Sequence, residues 1–176
     1  MKILSIFLIV LCAFLNAQSV NSIESDFTQT ITSAEGDTIK YTGNFQALSD
    51  GGDNFALWNY KSPIKKKMYF TNNEVVMIEP DLEQAVVTSI DETPDISSIL
   101  SEAIKTNKKT NNDVSVTVLE VEYKISFSNA LPVKLSYTDK LDNKIDIALT
   151  KTTLNRNIDK LTFKPEVPKG FDIVRY

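Results

Sequence analysis

The stretch FQALSDGGDNFALWNYKSPIKKKMYFTNNEVVMIEPDLEQA, residues 45–85, decides the fold of this chain. Apolar and polar residues alternate along it, as in Trp58-Asn59-Tyr60. This alternation is typical of a half-buried β-strand. The runs are separated by clusters of residues that tolerate turn dihedrals, at 49–53, 62–63, 71–73 and 80–81. The stretch therefore predicts four consecutive antiparallel strands joined by short loops.

One face of this four-stranded meander is predicted to be apolar, and its large side chains need an apolar surface or ligand to lie against. We expect them to line an apolar cavity. In a small barrel such side chains are more often plain core packing, so the pattern alone leaves both interpretations open. The predicted members of the face are Phe45, Trp58, Tyr60, Met68, Phe70 and Ile78.

Residues 1–17, MKILSIFLIVLCAFLNA, have the organisation of a secretory signal peptide. Lys2 is the positive region, an apolar core follows, and Ala17 is a small residue at the cleavage point. An uncleaved anchor helix is the alternative, but the core of about 13 apolar residues is shorter than the roughly 20 that span a bilayer. Cys12 lies inside this core after Leu11, which is not small, so lipid modification of Cys12 is not expected. Residues 18–176 are therefore predicted to be one exported, unanchored domain.

The composition excludes several classes of chemistry. The chain has no histidine, one cysteine and a formal net charge of −4, so residues 18–176 offer no Ser-His-Asp or Cys-His nucleophile and no thiolate or imidazole metal ligand. The pairs Asp91-Glu92 and Glu120/Glu122 are more typical of solvated faces than of a catalytic pair. Nucleic acid is not an expected partner because no basic face is available. We expect neither an enzyme nor a cofactor.

The remaining sequence adds strands and one helix. The apolar residues of 96–104 recur at helical spacing, with Thr93 as the expected cap and Pro94 at the first position. Gly43 lies within a predicted strand and indicates a bend or bulge. A short helix is expected near Ser19–Asn21. About ten or eleven strands and one clear helix predict a mainly β fold, an unclosed antiparallel barrel or strongly curved sheet. The expected buried face of the helix is Ile96, Ile99, Leu100, Ala103 and Ile104.

Several short motifs occur together, in an order and spacing that resemble the LolA family of periplasmic lipoprotein carriers. Each motif alone is weak, but the series covers about residues 20–174. The motifs are Asp26-Phe27-Thr28-Gln29, Tyr41-x-Gly43-x-Phe45, Leu57-Trp58-x-Tyr60-x-x-Pro63, Ile78-Glu79-Pro80-Asp81-Leu82-Glu83-Gln84-Ala85 and Phe163-x-Pro165-x-x-Pro168-x-Gly170-Phe171-Asp172-Ile173-Val174.

The resemblance implies an unclosed barrel with a helical lid, formed here by the face of Ile96, Ile99, Leu100 and Ile104. Its apolar hollow would take the acyl chains of outer-membrane lipoproteins released from an inner-membrane ABC transporter. Delivery would be to an outer-membrane receptor, and the carrier would act in the periplasm as a monomer. Family members commonly have a lid-binding arginine shortly before the tryptophan strand, whereas residues 49–54 read SDGGDN and no arginine lies between residues 18 and 155.

Two other classes of protein remain open from the sequence. A sensor on the same fold would bind a lipid or lipoprotein as a signal, but we expect neither a transmembrane segment nor a second domain, which counts against this class. An enzyme acting on lipid or glycan is the other, and the lack of histidine and cysteine counts against it. The run Lys65-Lys66-Lys67 is typical of a solvated strand edge. A docking site for an acidic partner is the more specific and less expected interpretation.

Overall fold

The computed structural model describes residues 20–71, 74–89, 96–107 and 112–176. Within these ranges the chain forms one sheet of eleven strands and one α-helix, α1, at Ile96–Asn107. The predicted signal peptide, Thr93 and Pro94 lie outside the described residues. The strands are β1 Ser22–Thr32, β2 Thr38–Asp50, β3 Asp53–Ser62, β4 Lys66–Phe70, β5 Glu74–Glu79, β6 Gln84–Ser89, β7 Val114–Val118, β8 Val121–Ser128, β9 Leu131–Thr138, β10 Lys144–Leu154 and β11 Asp172–Arg175.

The strand order across the sheet is β11-β6-β5-β4-β3-β2-β1-β10-β9-β8-β7. The predicted meander of residues 45–85 is confirmed, because β2 to β6 follow one another as antiparallel neighbours. The first strand β1 joins this half to the half formed by β7 to β10. The one parallel pairing among the described strands is that of β11 with β6. The mainly β, open curved sheet expected from the sequence is thus confirmed, whereas the short helix expected near Asn21 is wrong because β1 already begins at Ser22.

Gly43 has a structural role in bending the sheet, as its position within a strand indicated. The register between β2 and β3 shifts between Thr42 and Gly43. A Cβ atom at residue 43 would collide with the carbonyl oxygen of Asn59 and lie 2.8 Å from the ring of Phe27. Only glycine allows this close approach of two strands and a buried ring.

The sheet buries apolar side chains on both of its faces. On the inner face, which packs against α1, lie most of the aromatic residues of β1 to β4 and the buried apolar residues of β8 to β10. Alternate residues of β3 to β6 point to the outer face instead, where the C-terminal segment around Ile158 and Phe163 covers them. The outer cluster contains Leu57, Tyr69, Val76, Ile78, Ala85, Val87, Ile158 and Phe163.

Candidate functional site

The aromatic side chains of the inner face form one continuous group. The ring centroids of Phe45 and Trp58 are 4.5 Å apart, and Phe27 meets Trp58 and Tyr60 edge to face at 4.9 and 5.0 Å. Such pairs stabilise a packed face beyond the area that they bury. Because these residues occupy adjacent strands at matched register, Phe45 opposite Trp58 and Trp58 opposite Met68, their side chains make one apolar wall.

A cavity of about 560 Å³ and another of about 410 Å³ lie along this inner face. The smaller one is lined by Trp58, Tyr60, Met68 and Phe70 on the sheet and by Ile96 on α1. Four of the six predicted acyl-binding residues therefore share one cavity wall. Phe45 is fully buried and packs against Trp58 without lining this cavity, so its place is in the supporting layer.

Ile78 does not belong to this wall, and its predicted position was wrong. It belongs to the buried outer cluster, as do Tyr69 and Ala85. The register explains the error: Ile78 lies opposite Lys67, whereas its neighbour Met77 lies opposite Met68. Since side chains alternate between faces, Val75 and Met77 are the residues of β5 on the inner side. Both faces of β5 are apolar, so alternation alone could not tell them apart.

The opposite wall of the smaller cavity was not predicted from the sequence. This wall comes from β1, which directly precedes the meander, and from β8 to β10, which follow it much later in the chain. The alternation of apolar and polar residues identified these segments as strands, but it does not indicate which strands lie opposite them across the cavity. The added lining residues are Gln29, Leu119, Val121, Tyr123, Tyr137, Asp139, Lys140, Leu141 and Ile147.

The phenols at this wall are held neutral. The hydroxyl of Tyr60 donates a hydrogen bond to Oε1 of Gln29 at 3.0 Å, and burial raises the pKa of Tyr60 well above its ordinary value. Burial also raises the pKa of Tyr137 to about 12, with smaller contributions from Tyr123 and Asp139. Desolvation disfavours the charged phenolate. Both phenols are therefore uncharged at neutral pH and well above it, and the charged side chains of the lining are those of Asp139 and Lys140.

The helix α1 covers the inner face with the residues that its spacing indicated. Ile99, Leu100 and Ala103 are buried in the inner cluster, and Ile96 and Ile104 pack against it as half-buried residues. The structure thus places all four predicted lid residues on the side of α1 that faces the sheet. Whether α1 moves stays a prediction.

The larger cavity has a mixed lining of apolar and polar groups. Its apolar residues include Val20, Ile23 and Ile99, and Glu102 and Lys105 contribute charges from α1. Ser49 and Asn54, the two ends of segment 49–54, also line it. The structure therefore brings that segment to α1 without a cation on the strand side.

The described residues contain no group of three or more histidine, cysteine, aspartate or glutamate side chains that could hold a metal ion. Within the same ranges, no helix is both long and apolar enough to cross a membrane. The smaller cavity offers chiefly apolar contact, together with neutral hydroxyl and amide groups and the charged side chains of Asp139 and Lys140.

Comparison with known proteins gives concordant results. Residues 18–166 match the family model described as outer membrane lipoprotein carrier protein LolA. An outer-membrane lipoprotein carrier protein of Campylobacter jejuni is 30% identical over 155 residues, which cover 88% of this chain and 87% of that protein. The protein of the same description from Wolinella succinogenes is 32% identical over 160 residues, covering 90% and 89%.

A solved structure shares the fold. A conserved protein from Thermus thermophilus, described as uncharacterized, aligns with a TM-score of 0.52 over 91% of this chain and 93% of that chain. The sequence identity of that pair is 12%, so the likeness concerns the fold alone.

Proposed function

Because the chain belongs to the LolA family of outer-membrane lipoprotein carriers, we propose that it carries lipoproteins by holding their acyl chains between the sheet and α1. The observation that carries the proposal is the cavity of about 410 Å³ walled by Trp58, Tyr60, Met68 and Phe70. Its volume falls within the roughly 300–1,000 Å³ of small-molecule sites. The family is described as one of carriers and the chain's relatives bear the same description, which favours a binding protein over an enzyme.

The proposed route begins with export. Residues 1–17 would act as a signal peptide, and residues 18–176 would form a single carrier domain in the periplasm, acting as a monomer. Cargo would come from an inner-membrane lipoprotein-releasing ABC transporter and pass to an outer-membrane receptor. The lack of a membrane-spanning helix among the described residues is compatible with this route.

Energetics limit how tightly such a carrier can hold its cargo. Complete burial of one chain of about 14 methylenes is worth roughly 11 kcal/mol at about 0.8 kcal/mol per methylene. Several chains held so well could not be passed on spontaneously. The half-buried state of Met68, Ile96 and Ile104 fits a site that covers its ligand incompletely, so that carrier-bound and receptor-bound forms differ by only a few kcal/mol.

The test is release of a radiolabelled lipoprotein from spheroplasts by the purified protein. Wild-type protein is expected to bring the lipoprotein into the soluble fraction in a complex of one carrier with one cargo molecule. A Trp58→Ser, Phe70→Ser double variant that remains folded is expected to lose this activity, because two large parts of the cavity wall are removed. If that folded variant releases lipoprotein as well as wild type does, the cavity is not the acyl site.

A further inference from the structure

A lysine lies on the inner, apolar face of the sheet. Lys66 is opposite Tyr60 in the pairing of β3 with β4, and Met68 is opposite Trp58, so Lys66 shares its face with the cavity wall. Lys67 points to the other face and is exposed. The strand β4 lies between β3 and β5, so the run is not at a sheet edge, which corrects that part of the interpretation. Lys65 and Lys67 are solvated as expected, whereas Lys66 is half-buried.

The ammonium group of Lys66 packs over aromatic rings. Its Nζ lies 4.6 Å from the ring centroid of Tyr60 and 5.6 Å from that of Tyr41, and these two rings meet edge to face at 5.8 Å. Contacts of this kind attract a cation to the ring face. They therefore fix the ammonium beside Tyr60, which itself lines the cavity.

Within the described part of the chain, the charge of Lys66 has no carboxylate in ion-pair contact. The ion pairs among those residues involve other lysines and Arg156. Burial lowers the pKa of Lys66, and the charge of Glu79 on the adjacent strand opposes this only in part. A partly desolvated ammonium gains from a bound anion because its lost water is replaced by a charge-assisted hydrogen bond.

The distance from this cation to the apolar wall suits an amphiphile. Lys66 and Met68 are two residues apart on one face of β4, a separation of about 7 Å along a strand. A chain that lies on Met68 and Trp58 thus has its headgroup within reach of the ammonium. Asp139 also lines this cavity. Its carboxylate accepts hydrogen bonds from the backbone amides of Leu141 and Asn143 in its own loop.

We propose that Lys66 makes the hollow prefer acyl ligands with an anionic headgroup, a carboxylate or a phosphate, over neutral ligands of the same chain length. This rests on the proposed acyl-binding role of the hollow. It adds a headgroup subsite at the Tyr41, Tyr60 and Lys66 end, which apolar contact alone would not create.

The experiment measures displacement of the neutral fluorescent probe N-phenyl-1-naphthylamine by ligands that differ only in the headgroup. Laurate, dodecanol and dodecylammonium form one series at pH 7.5. Lauroyl lysophosphatidic acid and monolaurin form a second, which separates a phosphate preference from a carboxylate preference. The variants are Lys66→Gln, Lys66→Arg and, as the matched control on the opposite face, Lys67→Gln.

Wild-type protein is expected to bind laurate, the lysophosphatidic acid or both about tenfold more tightly than the neutral partner, the effect of one charge-assisted hydrogen bond. The preference should fall to about one in Lys66→Gln and persist in Lys66→Arg and Lys67→Gln. Equal binding of anionic and neutral ligands by wild type would overturn the proposal while leaving the acyl site intact. A preference unchanged in Lys66→Gln would also overturn it. If no ligand displaces the probe, the headgroup subsite and the acyl site both fail.

Discussion

The substitution Leu100→Ala tests whether α1 is a lid or part of a static core. Leu135 is the matched comparison, because both leucines have 0% exposure and both belong to the inner cluster. Removing a fully buried leucine side chain costs roughly 3–5 kcal/mol of unfolding free energy when the surroundings stay in place. A static core would therefore lose about the same free energy at each position.

A movable helix would behave differently. Suppose that α1 can leave the sheet while the strands stay folded. The unfolding free energy lost in Leu100→Ala then cannot exceed the free energy that docks α1, because a variant that loses more simply populates the undocked form. That docking free energy comes chiefly from Ile99 and Leu100, at roughly 1.5–3 kcal/mol per buried side chain, less the cost of ordering the helix. Leu135 is on β9, which is paired on both sides with β10 and β8, and its loss has no such limit.

Thermal unfolding and lipoprotein release give the two readouts. At about 2–4 °C per kcal/mol for a chain of this size, Leu135→Ala should lower Tm by roughly 6 °C or more, and Leu100→Ala by clearly less. Leu100→Ala should nevertheless reduce lipoprotein release from spheroplasts, whereas Thr106→Ala, on the exposed side of α1, should change neither quantity. Equal losses of Tm for the two leucines together with full release activity of Leu100→Ala would refute the lid mechanism.

Three further predictions concern the wall, the bend and the phenols. Trp58 is the single tryptophan and is 4% exposed at the cavity wall, so its emission should change when a fatty-acyl ligand binds, and an unchanged spectrum at saturation would contradict the site. Gly43→Ala should cost more than the roughly 1–3 kcal/mol of ordinary overpacking, measured by urea unfolding, whereas Gly36→Ala meets no atom within 4 Å and should cost about 1 kcal/mol for its positive φ. Burial raises the pKa of Tyr137 to about 12 in the folded protein, whereas the phenol of the unfolded chain has a pKa of about 10. As the pH rises, the unfolded phenol therefore ionises first. Stability is then intact below pH 10 and falls from pH 10 to 12; Tyr137→Phe should lessen that fall in alkaline unfolding followed by circular dichroism.

Local chemistry in the sequence was sufficient for most elements of this fold, although the short helix expected near Asn21 was wrong because β1 begins at Ser22. Alternating residues with turn clusters at 49–53 and 80–81 predicted the meander, because side-chain period and turn dihedrals are properties of neighbouring residues. The apolar spacing of 96–104 predicted the helix and its buried side. Gly43 indicated the bulge, since a glycine inside a strand is costly unless backbones must approach closely.

Only the tertiary structure decided which elements meet and which face each residue takes. Ile78 lies in the outer cluster and Met77 on the inner side. Because β5 is apolar on both faces, alternation allows either orientation of the strand. Packing against the C-terminal segment selects the observed one. The pairings of β1 with β10 and of β11 with β6 join strands that lie far apart in the sequence, and no local pattern encodes them. For the same reason the wall that completes the cavity, and the inward position of Lys66, followed from strand register across the sheet and not from the residues beside them in the chain.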